Sequence, residues 1–539
     1  MRIIQVAAAA AFAVSLSSAG MAQTPNAEIC AALAKTEIPA GSIGLPTTGA
    51  SILTAAMVAA NEPNNPNGDY CKVTGAIRPV DPKAPNILFQ VNLPAKWNGK
   101  AVHMGGGGFN GTVVTGQGAV SMGLAGVPPL SQGYATFGSD SGHQDPTGGP
   151  SFAANDEALL NYGALHLKKT LDVATDIIAR HYGKRPARMY FAGASTGGRE
   201  GLTVAQRWPE YYDGVVATAP AFNFTGVRMN GLRIGRAFYA PGGALNLNKQ
   251  KLVHARVLDT CDPLDGVRDG IVSAVQACDA KAESNLAALR CPGGKDTADN
   301  CLSDAQINTV RTIRSDMKLP YQLADGVTVH QGYNVLAGAD FYSSLGLGTS
   351  ATLAVPADRV LNGYLPQTGD GWAKYFLARD EKFDGMTLDP AKPGAYQARI
   401  VELSGQVGST NPNLDHFRVR GSKLILMHGL SDNVISPNTT VNYYKQLVAR
   451  YGQARADGFV RFYTAPGFAH GAGTFNLSWD ALGALDAWVD GGKAPETLVG
   501  TDTNAATRGR TRPLCRYPAW PKYVGGDNKL SGSFACVTG

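Results

Sequence analysis

The chain carries eight cysteines, yet no two of them form a C-x-x-C pair. Zinc knuckles and thioredoxin-like redox sites need thiols that closely spaced, so neither finds support. Charge is also sparse. Charged residues make up 17%, and the net charge of +6 is spread along the chain without a basic run. A chain of that kind offers no electrostatic track for nucleic acid or for a membrane surface. Long apolar runs are missing too: beyond the N-terminus, none reaches the length of a membrane-spanning helix.

The N-terminus reads as a secretory signal over residues 1–22. Arg2 gives a short positive start, Ile3 to Leu16 an apolar stretch, and Gly20-Met21-Ala22 small residues where a signal peptidase cuts. The expected location is secreted or periplasmic. In such a compartment an even number of cysteines points to disulfides. They fall in chain order as Cys30 and Cys71, Cys261 and Cys278, Cys291 and Cys301, Cys515 and Cys536. Sequential pairing is the expectation, although spacing does not fix connectivity.

The most informative segment is Tyr190-Phe191-Ala192-Gly193-Ala194-Ser195-Thr196-Gly197-Gly198. It contains a G-x-S-x-G, which chance alone supplies about once in two chains this rich in glycine. Its flanks carry more weight. Arg188 to Ala192 reads as a buried strand, Gly197 to Trp208 as a helix stopped by Pro209, and Asp213 to Thr218 as another buried strand. Strand, turn, helix, strand is a βαβ unit of a parallel sheet. A serine on that turn is lifted out of the backbone beside a helix N-terminus, where it can attack a carbonyl.

Further strands are expected at Ile87–Leu93, Ala101–Met104, Tyr134–Phe137, Lys423–Met427 and Val460–Tyr463. Helices are expected at Asp156–Tyr182, Asn438–Tyr451 and Ser478–Val489, and residues 24–85 read as irregular. From 222 to 420 the alternation stops. The reading is one α/β domain in two parts, 23–221 and 421–539, interrupted by a lid insertion over 222–420. Trp372, Tyr375, Phe376 and Arg359 are candidate lid contacts, and each fits the insertion's core or surface equally well.

A serine hydroxyl needs a base, and the base needs an acceptor to orient it. In α/β-hydrolases the chain order is Ser, then Asp or Glu, then His. His470, in the loop after the last α/β strand, fits as base. His143 precedes the nucleophile and His428 precedes the acid, so both read as structural histidines. Asp432 is the only acidic residue between Lys423 and Asn438, and it fits as the acid. An oxyanion hole needs two backbone N–H groups. Thr196 supplies one; the Gly105–Gly108 run, followed by Phe109-Asn110-Gly111, supplies the other. Within the insertion, Asp262, Asp265 and Asp269 crowd one Gly-turned loop, a donor set that suits a hard cation such as Ca²⁺. It is not an EF-hand, and plain Asp-Gly turns are an equal reading of these residues.

These motifs together resemble the tannase and feruloyl esterase family of secreted serine esterases, which includes mono(2-hydroxyethyl) terephthalate hydrolases. The resemblance rests on Gly105–Gly108 with Asn110-Gly111, and on Ser195-Thr196-Gly197-Gly198-Arg199-Glu200-Gly201. It rests also on Cys261-Asp262 through Asp269-Gly270-Ile271, His428-Gly429 with Asp432, Pro466-Gly467 with His470, and Thr511 to Cys515. It implies an α/β-hydrolase fold with a lid. It implies nucleophile Ser195, acid Asp432, base His470, and oxyanion donors Gly108 and Thr196. It implies a structural calcium held by Asp262, Asp265 and Asp269 and by the carbonyls of Val267 and Ile271, with no organic cofactor. It supports the sequential cysteine pairing, and it implies small esters of aromatic acids as substrates. A tannase, a terephthalate half-ester hydrolase and a non-catalytic binding protein on the same fold are the alternatives. The oligomeric state stays open.

One departure matters. The family usually places cysteines directly before the nucleophile and directly after the catalytic histidine. Here Ala194 and Gly471 stand there. A native disulfide contributes typically about 2–4 kcal/mol, so nucleophile and base are expected to be held by packing alone.

Overall fold

The computed structural model describes residues 25–539 apart from 120, 121, 123–125, 146, 344 and 356. The signal segment expected over 1–22 lies outside the described residues.

Eight strands of the sheet come first in the chain. They are β1 (Glu37–Ile38), β2 (Ala50–Val58), β3 (Tyr70–Ile77), β4 (Ile87–Pro94), β5 (Lys100–Met104), β6 (Ala135–Ser139), β7 (Arg188–Ala194) and β8 (Gly214–Thr218). After the two short strands β9 (Met317–Lys318) and β10 (Val329–His330), which pair only with each other, comes β11 (Lys423–Gly429). The sheet continues with β12 (Val460–Ala465), β13 (Leu477–Ser478), β14 (Leu498–Asp502) and β15 (Thr511–Arg516). The full order is β1-β2-β3-β4-β6-β5-β7-β8-β11-β12-β15-β14-β13.

The centre, from β6 to β12, is parallel. Its strands are buried on both faces: Val215, Val216, Leu424, Ile425, Leu426 and Met427 are fully covered. Continuous apolar runs of this kind are what a helix-covered parallel sheet requires. Each such side chain contributes about 1.5–3 kcal/mol on burial.

The topology places the site. From β5 the chain crosses to β6 on one side, while from β7 it crosses to β8 on the other. Strand order therefore reverses between β5 and β7, and a crevice opens beyond their carboxyl ends. Met104 of β5 is in register with Ala192 of β7. The glycine run after β5 thus lies directly beside the serine after β7.

Between β8 and β11 the chain forms a layer of helices, including Phe224–Phe238, Leu247–Cys261, Asp304–Arg314, Tyr364–Trp372 and Gln397–Val407. All eight cysteines are joined, as Cys30–Cys71, Cys261–Cys278, Cys291–Cys301 and Cys515–Cys536. Among the described residues no helix is long and apolar enough to cross a membrane.

Three elements differ from the sequence reading. Residues 24–85 are not irregular: they hold a helix from Pro25 to Ala32 and an antiparallel extension of the sheet, β1 to β3. β2 is rich in alanine and broken by a bulge between Ile52 and Thr54, so it shows no clear alternation. The helix expected over Asp156–Tyr182 contains a π turn at Asn161–Leu165. The last helix begins at Ala481 rather than Ser478, because the Asp480 side chain caps the Gly483 N–H at 2.8 Å. Leu477–Ser478 pairs with β14 instead.

Candidate active site

Ser195 stands between β7 and the helix Thr196–Arg207 with φ 59° and ψ −119°. A non-glycine residue in such a region costs on the order of 1–3 kcal/mol and persists only where its surroundings enforce it. Here both of its peptide groups are held. The Ser195 N–H donates to Thr218 O, and the Ser195 carbonyl accepts from Arg199 and Ala221, each at 3.0 Å. The flanking glycines are required by close approach. A Cβ at Gly193 would lie 2.5 Å from Gly197 O, and one at Gly197 would lie 2.7 Å from Gly106 O.

The other two expected residues arrive on loops after neighbouring strands. His470 follows β12 and Asp432 follows β11. Their loops are tied by main-chain bonds from Leu430 N–H to Ala465 O at 2.9 Å and from Ser431 N–H to Phe468 O at 3.1 Å. His470 Nε2 lies 2.9 Å from Ser195 Oγ, and His470 Nδ1 lies 2.7 Å from Asp432 Oδ2. The chain thus closes without the bridge that Ala194 and Gly471 lack. Gly471 itself has φ +84°; a side chain there would be strained.

Asp432 is fully buried. Its Oδ1 accepts the N–H groups of Val434 and Ile435 at 2.8 and 2.9 Å. Burial pushes its carboxyl up, but the His470 and His428 imidazoles beside it outweigh that and hold it well below the usual carboxylate range. An ionised Asp432 accepts from His470 Nδ1–H, which leaves the Nε2 lone pair facing the serine hydroxyl. His428 is buried, with Nδ1 at 2.8 Å from Thr440 Oγ1 and Nε2 at 3.1 Å from Ile435 O. His143 Nε2–H donates to Phe109 O at 2.7 Å. Both are buried and held by these partners, and neither lines the cleft.

Gly108 and Thr196 meet across the crevice. The Gly108 carbonyl accepts the Thr196 hydroxyl at 2.6 Å and the Tyr162 hydroxyl at 2.9 Å. The Thr196 N–H belongs to the first helical turn, where donors have no intrahelical partner and the helix dipole favours negative charge. The π turn explains Tyr162. The extra residue swings its ring under the glycine loop, and the loosened carbonyls of Tyr162 and Gly163 are taken up by the buried Arg199 at 3.0 and 2.6 Å. Periodicity gave no sign of this, since a π turn leaves the helical pattern almost intact.

Ser195, Gly108 and His470 sit in a cleft of about 1010 Å³. Tyr364, Lys374 and Tyr375 close it from the helical layer, and Met122 and Pro150 from the sheet side. Lys374 pairs with Asp370 at 2.5 Å. Of the candidate lid contacts, Tyr375 lines the cleft. Trp372 and Phe376 do not face the ligand space: both are fully buried in the layer's own core with Phe109, Tyr162 and Phe224. The Arg359 side chain lies outside the described residues. Tyr364 and Lys374 went unread in the sequence, because no local motif marks a residue that reaches the site from a distant helix.

The Asp-rich loop is folded on itself. Asp262 accepts the N–H groups of Asp269 and Gly270 at 3.3 and 3.2 Å. Asp265 Oδ1 accepts the Val267 N–H at 3.2 Å, and Asp269 accepts the Ile271 N–H at 3.0 Å while pairing with Arg512. Asp265 Oδ2 is buried and makes no well-formed hydrogen bond, and burial pushes its carboxyl up to about 6 against the Ser273 side chain beside it. Among the described residues no three acidic, histidine or cysteine side chains gather as a metal-holding group. A cation's fit to this loop therefore rests on that buried oxygen and on main-chain carbonyls.

Comparison with known proteins adds the ancestry. The family model for tannase and feruloyl esterase matches residues 71–537. An uncharacterized esterase of Agrobacterium fabrum is 43% identical, covering 97% of this chain and 96% of the relative. The mono(2-hydroxyethyl) terephthalate hydrolase of Piscinibacter sakaiensis is 32% identical, covering 87% of this chain and 85% of the relative. The crystal structure of feruloyl esterase B from Aspergillus oryzae superposes with a TM-score of 0.74 at 24% identity, covering 92% of this chain and 98% of that one. That last likeness is one of fold.

Proposed function

The chain belongs to the tannase and feruloyl esterase family and is a carboxylic ester hydrolase, and we propose that it cleaves esters of small aromatic acids through an acyl-enzyme on Ser195. The observation that carries this reading is the hydrogen-bonded line Asp432–His470–Ser195 at the floor of the cleft. His470 Nε2 takes the Ser195 proton as Oγ attacks the ester carbonyl. The Gly108 and Thr196 N–H groups face the developing oxyanion. His470 then protonates the leaving alcohol, and a water activated by the same nitrogen releases the acid. Asp432 keeps His470 in the required tautomer and stabilises the imidazolium.

The aromatic preference is supported by the rings and apolar side chains that line the cleft, Tyr364, Tyr375 and Met122 among them. It is also supported by the relative that bears the name of a terephthalate half-ester hydrolase. Feruloyl, galloyl and terephthaloyl esters compete as acyl groups, and a panel of the three decides among them. The proposed location is secreted or periplasmic, where four disulfides persist.

A serine-directed aryl phosphonate should inactivate the enzyme at one-to-one stoichiometry, with the adduct mapped by mass spectrometry to the peptide holding Ser195. Labelling at another residue, or loss of activity without an adduct, would remove Ser195 from the mechanism. It would also revive the alternative of a non-catalytic hydrolase fold.

We also propose a structural Ca²⁺ in the loop of Asp262, Asp265 and Asp269, with the carbonyls of Val267 and Ile271. The buried Asp265 oxygen, which makes no well-formed hydrogen bond, supports it. Binding only to the folded state stabilises by mass action, about 2.7 kcal/mol at a hundredfold excess over Kd. Thermal unfolding with a chelator should therefore occur several degrees below unfolding with excess Ca²⁺. Equal midpoints would overturn the calcium assignment and leave the esterase reading intact.

A further inference from the structure

The geometry points to Glu200 as the residue that positions both donors of the oxyanion hole, an inference that rests on the esterase reading above. Glu200 lies one turn into the helix that starts at Thr196, and it is fully buried. It does not reach the cleft. Its carboxylate instead grips the glycine loop from below. Oε2 accepts the Gly106 N–H at 3.0 Å, and Oε1 accepts the Asn110 side-chain amide at 2.9 Å. Gly105 makes room for it, since a Cβ there would lie 2.8 Å from Oε2.

The consequence runs along the backbone. Asn110, held by Glu200, donates its own N–H to Gly107 O at 2.8 Å. In a planar trans peptide the C=O and the next N–H point in opposite directions. Fixing the Gly107 carbonyl on Asn110 therefore fixes the Gly108 N–H away from it. On the other side, Gly197 N–H donates to Gly106 O at 2.8 Å and locks the loop to the same helix that presents Thr196. One side chain so couples the β5 loop to the nucleophile helix and sets the distance between the two donors.

The grip needs a group that only accepts. Both partners of Glu200 are donors, so a glutamine would turn its own NH₂ against Gly106 N–H or Asn110 NH₂. The carboxylate is kept ionised. Burial pushes it up, but His166 at 3.5 Å, Arg199 at 3.8 Å and the Gly106 N–H outweigh that and bring it to about 2.

The test is Glu200→Gln, read on an aromatic ester that the native enzyme turns over. Losing an oxyanion donor costs about 10²–10³ in kcat, so a displaced one should cost roughly 10–100-fold, with KM within about threefold. The Ki of phenylboronic acid, whose tetrahedral serine adduct occupies the same hole, should rise in parallel with the loss of kcat. A merely structural anchor would move stability without that parallel. The pair Asn110→Asp with Glu200→Gln restores donor-to-acceptor matching and should regain about tenfold of the lost kcat. A folded Glu200→Gln with native kcat, or one changed in KM alone, overturns the assignment. If Glu200→Gln does not fold, Asn110→Ala cuts the same connection, and native kcat in that folded variant overturns it equally. The two readings separate cleanly: an active Ser195→Ala refutes the esterase mechanism, whereas an inactive Ser195→Ala beside a fully active Glu200→Gln refutes only the role of Glu200.

Discussion

Ser195→Ala leaves the protein folded and lowers kcat by roughly 10⁶-fold, the scale seen when a triad nucleophile is removed. The fold survives because alanine keeps the Cβ and asks nothing new of the backbone. The strained turn is held by main-chain bonds to Thr218, Arg199 and Ala221, none of which involves the hydroxyl. Chemistry is lost because, among the described residues, Ser195 Oγ is the hydroxyl bonded to His470 Nε2, at 2.9 Å. A residual 10³–10⁴-fold advantage over water remains, from the oxyanion donors and binding. Turnover of an aromatic ester, measured beside a thermal melt, checks both halves. Activity within tenfold of the native enzyme would sink the mechanism, and a collapsed melt would show that the hydroxyl supports the fold.

Asp432→Asn costs about 10⁴-fold in kcat near neutral pH, as in serine proteases where the same change imposes the wrong tautomer. The local bonds dictate which way the new amide turns. Oδ1 of Asp432 accepts from Val434 and Ile435, so the asparagine oxygen stays there and its NH₂ faces His470 Nδ1. That nitrogen must then accept, and the ring proton moves to Nε2, where it blocks proton removal from Ser195. KM should change little, because Asp432 is buried and does not line the cleft. A variant that keeps kcat within tenfold would show that His470 is oriented by something other than this carboxylate.

The centre of the sheet was legible because its strands are short apolar runs bounded by turn residues, as in Lys423–Met427 and Asp213–Thr218. Burial on both faces requires such runs, so sequence and structure coincide there. The turn that carries Ser195 was legible for a similar reason: backbones approach so closely at Gly193 and Gly197 that only glycine fits. The N-terminal strands were not legible. β2 pairs at the sheet's periphery, its alanines bury little, and a bulge interrupts its alternation. Sequence alone left Trp372 and Phe376 open between cleft and core, because an aromatic in a helix looks the same whether it faces a ligand or a core; the structure puts both in the core.

The sequence by itself determined the family and the candidate site: a serine on a glycine-flanked turn, one acid and one histidine in the order the proposed triad needs, a glycine run, and four pairs of cysteines. Each of these depends on local backbone demands or on residue types that little else explains. Tertiary structure alone decided how they meet. The reversal of strand order beside β5 and β7 opens the crevice, the π turn brings Tyr162 under Gly108, Glu200 ties the glycine loop to the nucleophile helix, and the helical layer supplies Tyr364, Lys374 and Tyr375. These are contacts between segments distant in the chain. Their energies depend on packing and burial that no window of residues contains.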